Sequence, residues 1–397
     1  MRPRGAVFWL SAVCWLGCQK PKPAAQGAEL SPAETSALRA ALTSYADIGW
    51  AAYADAGLGA RALAKSAESF VNAPSAEGLS ELKQAWLKAR TPYQQTEVLR
   101  FYDGPIDRIE LLINTWPIDE SYVEAGVSAP KPGIVEDTQT FPELTAPLLV
   151  SLNGKQGETS ISTGYHVIEY LLWGRDTRRD GPGDRPFSDY VSKESPVGAR
   201  RGRYLQLSIG QLVRDLASLE AEWQKGRPDN YRAKFLGMPP RDALALVVKG
   251  IGSLSGPELA GERLTVAYET KDQENEHSCF SDNTVNDLAD DVLGIQNLCT
   301  GSYRRTNGTT VSGPGLCAAL AARNPELARR LEREIGESLA AVRAIPSPFD
   351  QAMLGSDSAP GRTAIKKAIV ALEKQTQTLT DVAAVYELRA APQKLGP

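Results

Sequence analysis

Gly164-Tyr165-His166-Val167-Ile168-Glu169-Tyr170-Leu171-Leu172-Trp173-Gly174 is the stretch whose reading decides the fold. It reads as a helix from about residue 160 to 173, stopped by Gly174. Positions three apart share a helix face, so His166 and Glu169 project together. An imidazole beside a carboxylate is a usable metal-ligand or acid–base pair. The chain has only two histidines in 397 residues. The second, His277, sits in the polar, acidic run Glu274-Asn275-Glu276-His277-Ser278-Cys279.

Helical spacing recurs on both sides of that stretch. Ser31-Pro32-Ala33-Glu34 combines a capping box with proline at the first helical position, and Leu38, Leu42, Tyr45 and Ile48 continue it. A second helix is expected over about 58–71, with a break at Asn72-Ala73-Pro74. A third starts near Leu79 and carries Leu82, Trp86 and Tyr93, with Pro92 expected to kink it. Residues 200–225 set Leu205, Ile209, Leu212, Leu216, Leu219 and Trp223 on one inner face. A helix over 239–248 is expected to break at 251–256 and resume over 257–268. Three more are expected: one capped by Asn283 or Thr284, one opened by Asn324-Pro325, and one over 361–386. No run of alternating β-branched residues with hairpin signals stands out. The expected class is therefore all-α, built from antiparallel helical bundles.

A net charge of −4 argues against a nucleic-acid binder, which needs a basic surface. Residues 1–18 read as a secretory signal: Arg2 and Arg4 precede an apolar run too short to span a bilayer. Trp15-Leu16-Gly17-Cys18 resembles a bacterial lipobox, with Trp15 standing where Leu is usual. That resemblance implies a lipid on Cys18 and anchoring at the outer membrane; ordinary cleavage near Ala24 would instead give a soluble periplasmic protein. Residues 19–30 form a polar tether. In an oxidising envelope, Cys299 and Cys317 would close the loop between them, although Cys279 offers either of them another partner.

A zincin helix needs two histidines one turn apart and a glutamate beside the first. Val167 and Tyr170 occupy the positions of that glutamate and the second histidine, and the inverted motif fails at Tyr170 as well. A zinc-dependent envelope peptidase is thus the alternative, not the favoured reading. One imidazole with several carboxylates is a borderline-to-hard ligand set that suits iron. Glu97, Asp119 and Glu120 are the next candidate ligands after His166 and Glu169. Arg90 and Arg100 are candidates to orient carboxylates or pair with an anionic ligand. Glu262, Arg263, His277 and Asp282 form a second candidate polar cluster, and Gly164 would permit close backbone approach. The bland alternative is a surface interaction protein in which His166 is a satisfied core histidine and the acids from Glu269 to Asp291 are a solvated face.

Five stretches, in order, resemble the imelysin family of iron-regulated bacterial envelope proteins once classed as metallopeptidases. They are the run from Trp86 through Arg90, Glu97 and Arg100; Asn114-Thr115-Trp116-Pro117-Ile118-Asp119-Glu120; the Gly164–Gly174 helix with its G-x-H-x-x-E pattern; Glu258-Leu259-Ala260-Gly261-Glu262-Arg263; and the run from Asp272 to Thr284. Val285 stands where the family pattern often has a histidine. The resemblance implies an all-helical domain over 31–390, made of two packed bundles (about 31–199 and 200–390), with a site near His166 at their junction. It also implies a role tied to iron uptake. The favoured function is binding of a metal ion or small iron-bearing ligand, with an envelope transport partner; the family name suggests a metallopeptidase, but the absent zincin residues lean against an enzyme.

Overall fold

The computed structural model describes residues 29–126 and 130–388. The expected signal, Cys18 and nearly all of the tether lie outside the described residues. The principal helices are α1 (Pro32–Asn72), α2 (Ala76–Gln94), α3 (Tyr165–Trp173), α4 (Gly198–Trp223), α5 (Pro240–Thr270), α6 (Thr284–Thr300), α7 (Pro325–Arg343) and α8 (Pro360–Val385). The class is all-α. In the first half α1 packs on α2 and α4, and α3 packs on both α2 and α4. In the second half α8 packs on α5 and α7. Helix α6 packs on α7 on one side and α2 on the other, so it ties the halves together.

The capping box forms as its sequence suggests: Ser31 N–H donates to the Glu34 carboxylate at 2.7 Å, and Glu34 N–H donates to Ser31 Oγ at 3.2 Å. Helix α1 then runs unbroken for 41 residues, where the spacing had suggested two helices. Its small residues make contacts instead of breaks. A Cβ on Gly59 would lie 2.8 Å from Ala89 Cα, so glycine is what lets α1 and α2 touch backbone to backbone. Leu205, Ile209, Leu212, Leu216, Leu219 and Trp223 of α4 are all buried, and each such side chain contributes about 1.5–3 kcal/mol of transfer free energy.

The break expected near 251–256 is also absent. The chain stays helical through it by widening into π-type turns over Leu254–Thr265, with Pro257 inside the wide segment. Inside the loop between α6 and α7 lies a short antiparallel hairpin, β1 (Ser302–Arg304) and β2 (Thr310–Ser312), which helical spacing gave no reason to expect. A Cys299–Cys317 disulfide closes that loop, and Cys279 is a free, buried thiol. Asp55 of α1 pins the hairpin by accepting from Tyr303 Oη, Arg305 and Thr306 N–H.

Candidate functional site

The site begins at the start of α3. Gly164 has φ +97°, and a Cβ there would lie 2.6 Å from Ile113 O. A side chain is excluded twice over, by the left-handed backbone and by the contact. Helix α3 is then locked onto α2: Trp86 Nε1 donates to Tyr165 O at 3.1 Å, and Tyr165 Oη donates to Ala89 O at 3.2 Å. This sets His166 and Glu169 side by side, with Nδ1 and Oε2 2.9 Å apart.

The other imidazole nitrogen, Nε2, meets Arg90 Nη2 at 3.3 Å. A guanidinium only donates, so Nε2 accepts. The proton of the neutral ring therefore sits on Nδ1 and is donated to Glu169. Ser281 donates to the other Glu169 oxygen through its N–H (2.9 Å) and its hydroxyl (2.7 Å). Arg90 also donates to both oxygens of Asp287 and to Asn114 Oδ1, and it lies over the Trp86 and Tyr165 rings. Asp287, on the first turn of α6, further accepts from Ser278 Oγ, from Asn283 Nδ2 at 2.8 Å and from His277 Nδ1 at 3.1 Å. With its proton on Nδ1, neutral His277 carries its lone pair on Nε2. The two imidazole centroids are 4.8 Å apart, and Trp116 stands edge-on to His277.

The hydrogen-bonded polar residues of this cluster are all buried, with His166 only 1% exposed. Burial, followed by the Arg90 charge and the second imidazole, holds His166 well below the usual histidine range. Burial and then the charges of Arg263 and Arg90 do the same to His277, so both rings are uncharged near neutrality. Burial pushes the Glu169 carboxyl up to about 8, with the Ser281 hydrogen bond and Arg90 opposing it.

One turn along α6 from Asp287, a second arginine centre begins. Arg263 donates to Asp291 and Glu97, each at 2.8 Å, and to Glu258. Arg100 donates to Glu97 at 2.5 Å and pairs with Glu110 at 3.3 Å. Burial works against the Glu97 carboxylate, but Arg100 and Arg263 outweigh it and bring it down to about 2.

The residues expected from sequence thus divide. His166, Glu169, His277 and Arg90 meet in one network. Glu97, Arg100 and Arg263 meet in the adjoining one, where Glu97 is held by arginines and not by a histidine. The anions that Arg90 and Arg100 pair with are the protein's own, Asp287 for the first and Glu97 and Glu110 for the second. Asp119 caps the short turn Glu120–Val123, accepting from Ser121 and Tyr122 N–H, and Glu120 pairs with Arg175. Glu262 is exposed, and the acid that reaches Arg263 is Glu258. Sequence reading missed Asp287 and Asp291, which entered it only within the bland alternative of a solvated face. Both are buried, with Asp287 1% exposed. Their four-residue spacing beside Leu288 and Val292 was the available signal: two acids one turn apart flanking an apolar stripe.

Asp282 lies apart from the histidines. Its carboxylate, that of Glu276 and that of Asp350 each offer an oxygen within 4.8 Å of the other two. Burial and the neighbouring acids hold Glu276 well above the usual carboxylate range, and push Asp282 up to about 7.

The sequence model of the imelysin family matches residues 49–379. Iron-regulated protein A of Synechococcus elongatus is 24% identical over 337 residues, covering 82% of this chain and 80% of its own. A solved structure from Parabacteroides distasonis, described as a candidate iron-regulated protein A precursor, superposes with a TM-score of 0.69 at 20% identity, covering 92% of this chain and 98% of that one. An imelysin-like protein from Psychrobacter arcticum superposes with a TM-score of 0.60 at 16% identity, covering 91% and 98%.

Proposed function

The chain belongs to the imelysin family, and from that premise we propose that it binds iron, or a small iron-bearing ligand, at the cell envelope as a step in iron uptake. The relative from Synechococcus is named for its regulation by iron, which supports the iron connection. The lipobox resemblance at Trp15-Leu16-Gly17-Cys18 supports the envelope and a membrane anchor on Cys18.

The single observation that carries the reading is the convergence of two uncharged imidazoles with two carboxylates at the meeting of α2, α3 and α6. Imidazole with carboxylate is a donor set suited to iron, and a ring already neutral gives up no proton on binding. The geometry assigns unequal roles. His166 Nε2 is taken by Arg90 and its Nδ1 by Glu169, so His166 positions and does not ligate in this arrangement. His277 Nε2 is the imidazole lone pair for which the described residues supply no hydrogen bond, and it is the candidate ligand. Asp287 fixes its tautomer, the usual second partner of a ligating histidine. Asp119 and Glu120, otherwise engaged, are weaker candidates than the sequence suggested.

The zinc-peptidase alternative is opposed by burial. A peptidase metal keeps a position open to water and substrate, whereas His166 and Glu169 are sealed in the core.

The test is iron titration of the purified mature chain beside His277→Ala and His166→Ala/Glu169→Ala. Iron binding should be lost in the first and weakened roughly 10–100-fold in the second, as for groups that orient a ligand. Absent binding, or binding unchanged in both variants, contradicts the proposal.

A further inference from the structure

The carboxylates of Glu276, Asp282 and Asp350 come from separate parts of the chain. Glu276 follows the short turn Gln273–Asn275, Asp282 precedes α6, and Asp350 lies in the turn Phe349–Ala352 before α8. Each supplies an oxygen within 4.8 Å of the others. Glu276 is fully buried and neither of its carboxylate oxygens has a well-formed hydrogen bond, although the nearby Thr284 hydroxyl favours its charged form. Asp282 Oδ1 and Asp350 Oδ1 are likewise without partners; Asp350 Oδ2 accepts from Gln351. Among the described residues no arginine, lysine or histidine forms an ion pair with any of the three.

This is an abnormal state for buried acids. A buried polar group without a partner costs about 1–3 kcal/mol, more when charged, and proteins pair buried charges or coordinate metals with them. Several buried acids in this molecule are paired with arginine: Asp287 has Arg90, and Glu97 and Asp291 have Arg263. Glu169 and Asp215, which lack such a cation, accept hydrogen bonds from Ser281 and Gln211 instead. Here the cation is not supplied by the chain.

We propose that Glu276, Asp282 and Asp350 form a binding site for a hard divalent cation of the calcium class. The donors are all oxygen, which selects hard cations over zinc or copper. Oxygens that lie within 4.8 Å of one another can converge on one ion. Calcium accepts flexible, mixed oxygen shells and so suits donors drawn from three separate segments, whereas magnesium demands near-ideal octahedral geometry. Asp282 is partly exposed and gives the ion a way in from solvent, while Glu276 closes the inner end. The site has no histidine, so it is distinct in chemistry from the iron reading and does not depend on it. The ion would tie the segment before α6 to the turn before α8.

The experiment is calcium titration of the purified mature chain at neutral pH, followed by calorimetry and by the shift in Tm. The parent should bind calcium and melt at a higher temperature with it. Asp350→Asn and Glu276→Gln should lose both responses while keeping the parent's circular dichroism and its iron binding. The partly exposed Asp282→Asn, which folds most readily, should weaken both responses. His277→Ala should keep calcium while losing iron, so the two proposals fail separately. No calcium response in the parent, a response unchanged in all three carboxylate variants, or iron bound by these carboxylates in place of calcium would overturn the assignment.

Discussion

Glu276 and His277 are neighbours in the chain and both are buried, yet their side chains enter opposite electrostatic settings. His277 joins a network in which the charges are closed internally. Asp287 takes hydrogen bonds from Arg90, His277, Ser278 and Asn283, and Arg90 is shared with His166 and Asn114. Glu276 joins two other acids, and among the described residues no cation pairs with it and no well-formed hydrogen bond reaches its carboxylate. The first region balances its charges within the chain and leaves the lone pair of His277 Nε2 as the donor open to a metal. The second holds acids whose charged form nothing among the described residues balances. The lesson is that the residues most conspicuous in sequence, the histidines, need not be where a cation has most to gain.

The largest expected effect breaks the first region. Arg90→Met leaves Asp287 and the His166 lone pair buried without their main donor, and removing one partner of a buried pair typically costs about 3–5 kcal/mol. Urea unfolding should report a loss of that size. A loss under about 1 kcal/mol, typical of an ordinary substitution, would mean that the network is not closed through Arg90.

A smaller effect separates the regions by the sign of their pH dependence. His166 and His277 are held below the usual histidine value of 6.5, so their contribution is present above that pH and is lost as pH falls below it. Asp282 is raised from 3.8 to about 7, so the native state holds its proton longer than the unfolded chain. Its contribution is intact below pH 3.8 and is lost as pH rises towards 7. Asp282→Asn should therefore gain on the parent across that window, by about 1 kcal/mol because the half-buried carboxyl is partly screened by solvent. Saturating calcium should remove the difference. A parent and variant with parallel pH profiles would dissolve the contrast.

The helical class was legible because apolar spacing and caps are local signals, as at Ser31–Glu34 and along α4. Helix continuity was less legible. Residues 49–57 and 251–256 read as gaps between separate helices, but tertiary contacts decide whether small residues interrupt a helix or let another one approach. In the site, His166 and Glu169 were legible as a pair because helix geometry fixes their neighbourhood. Asp287 and Asp291 were not, since the arginines that justify their burial lie 197 and 28 residues away. The same holds for Asp350, which nothing near it in sequence connects to Glu276.

The smallest expected effect tests the corrected assignment around Arg263. Glu262→Gln, at an exposed position, should change stability by less than about 0.5 kcal/mol and leave iron binding untouched. A change in iron affinity would restore Glu262 to the site.

The most direct measurement of the central claim is Fe K-edge X-ray absorption on the iron-loaded mature chain, compared with His277→Ala. The account predicts imidazole scattering in the parent spectrum that disappears in the variant. An oxygen-only shell around iron, identical in the two proteins, would contradict it.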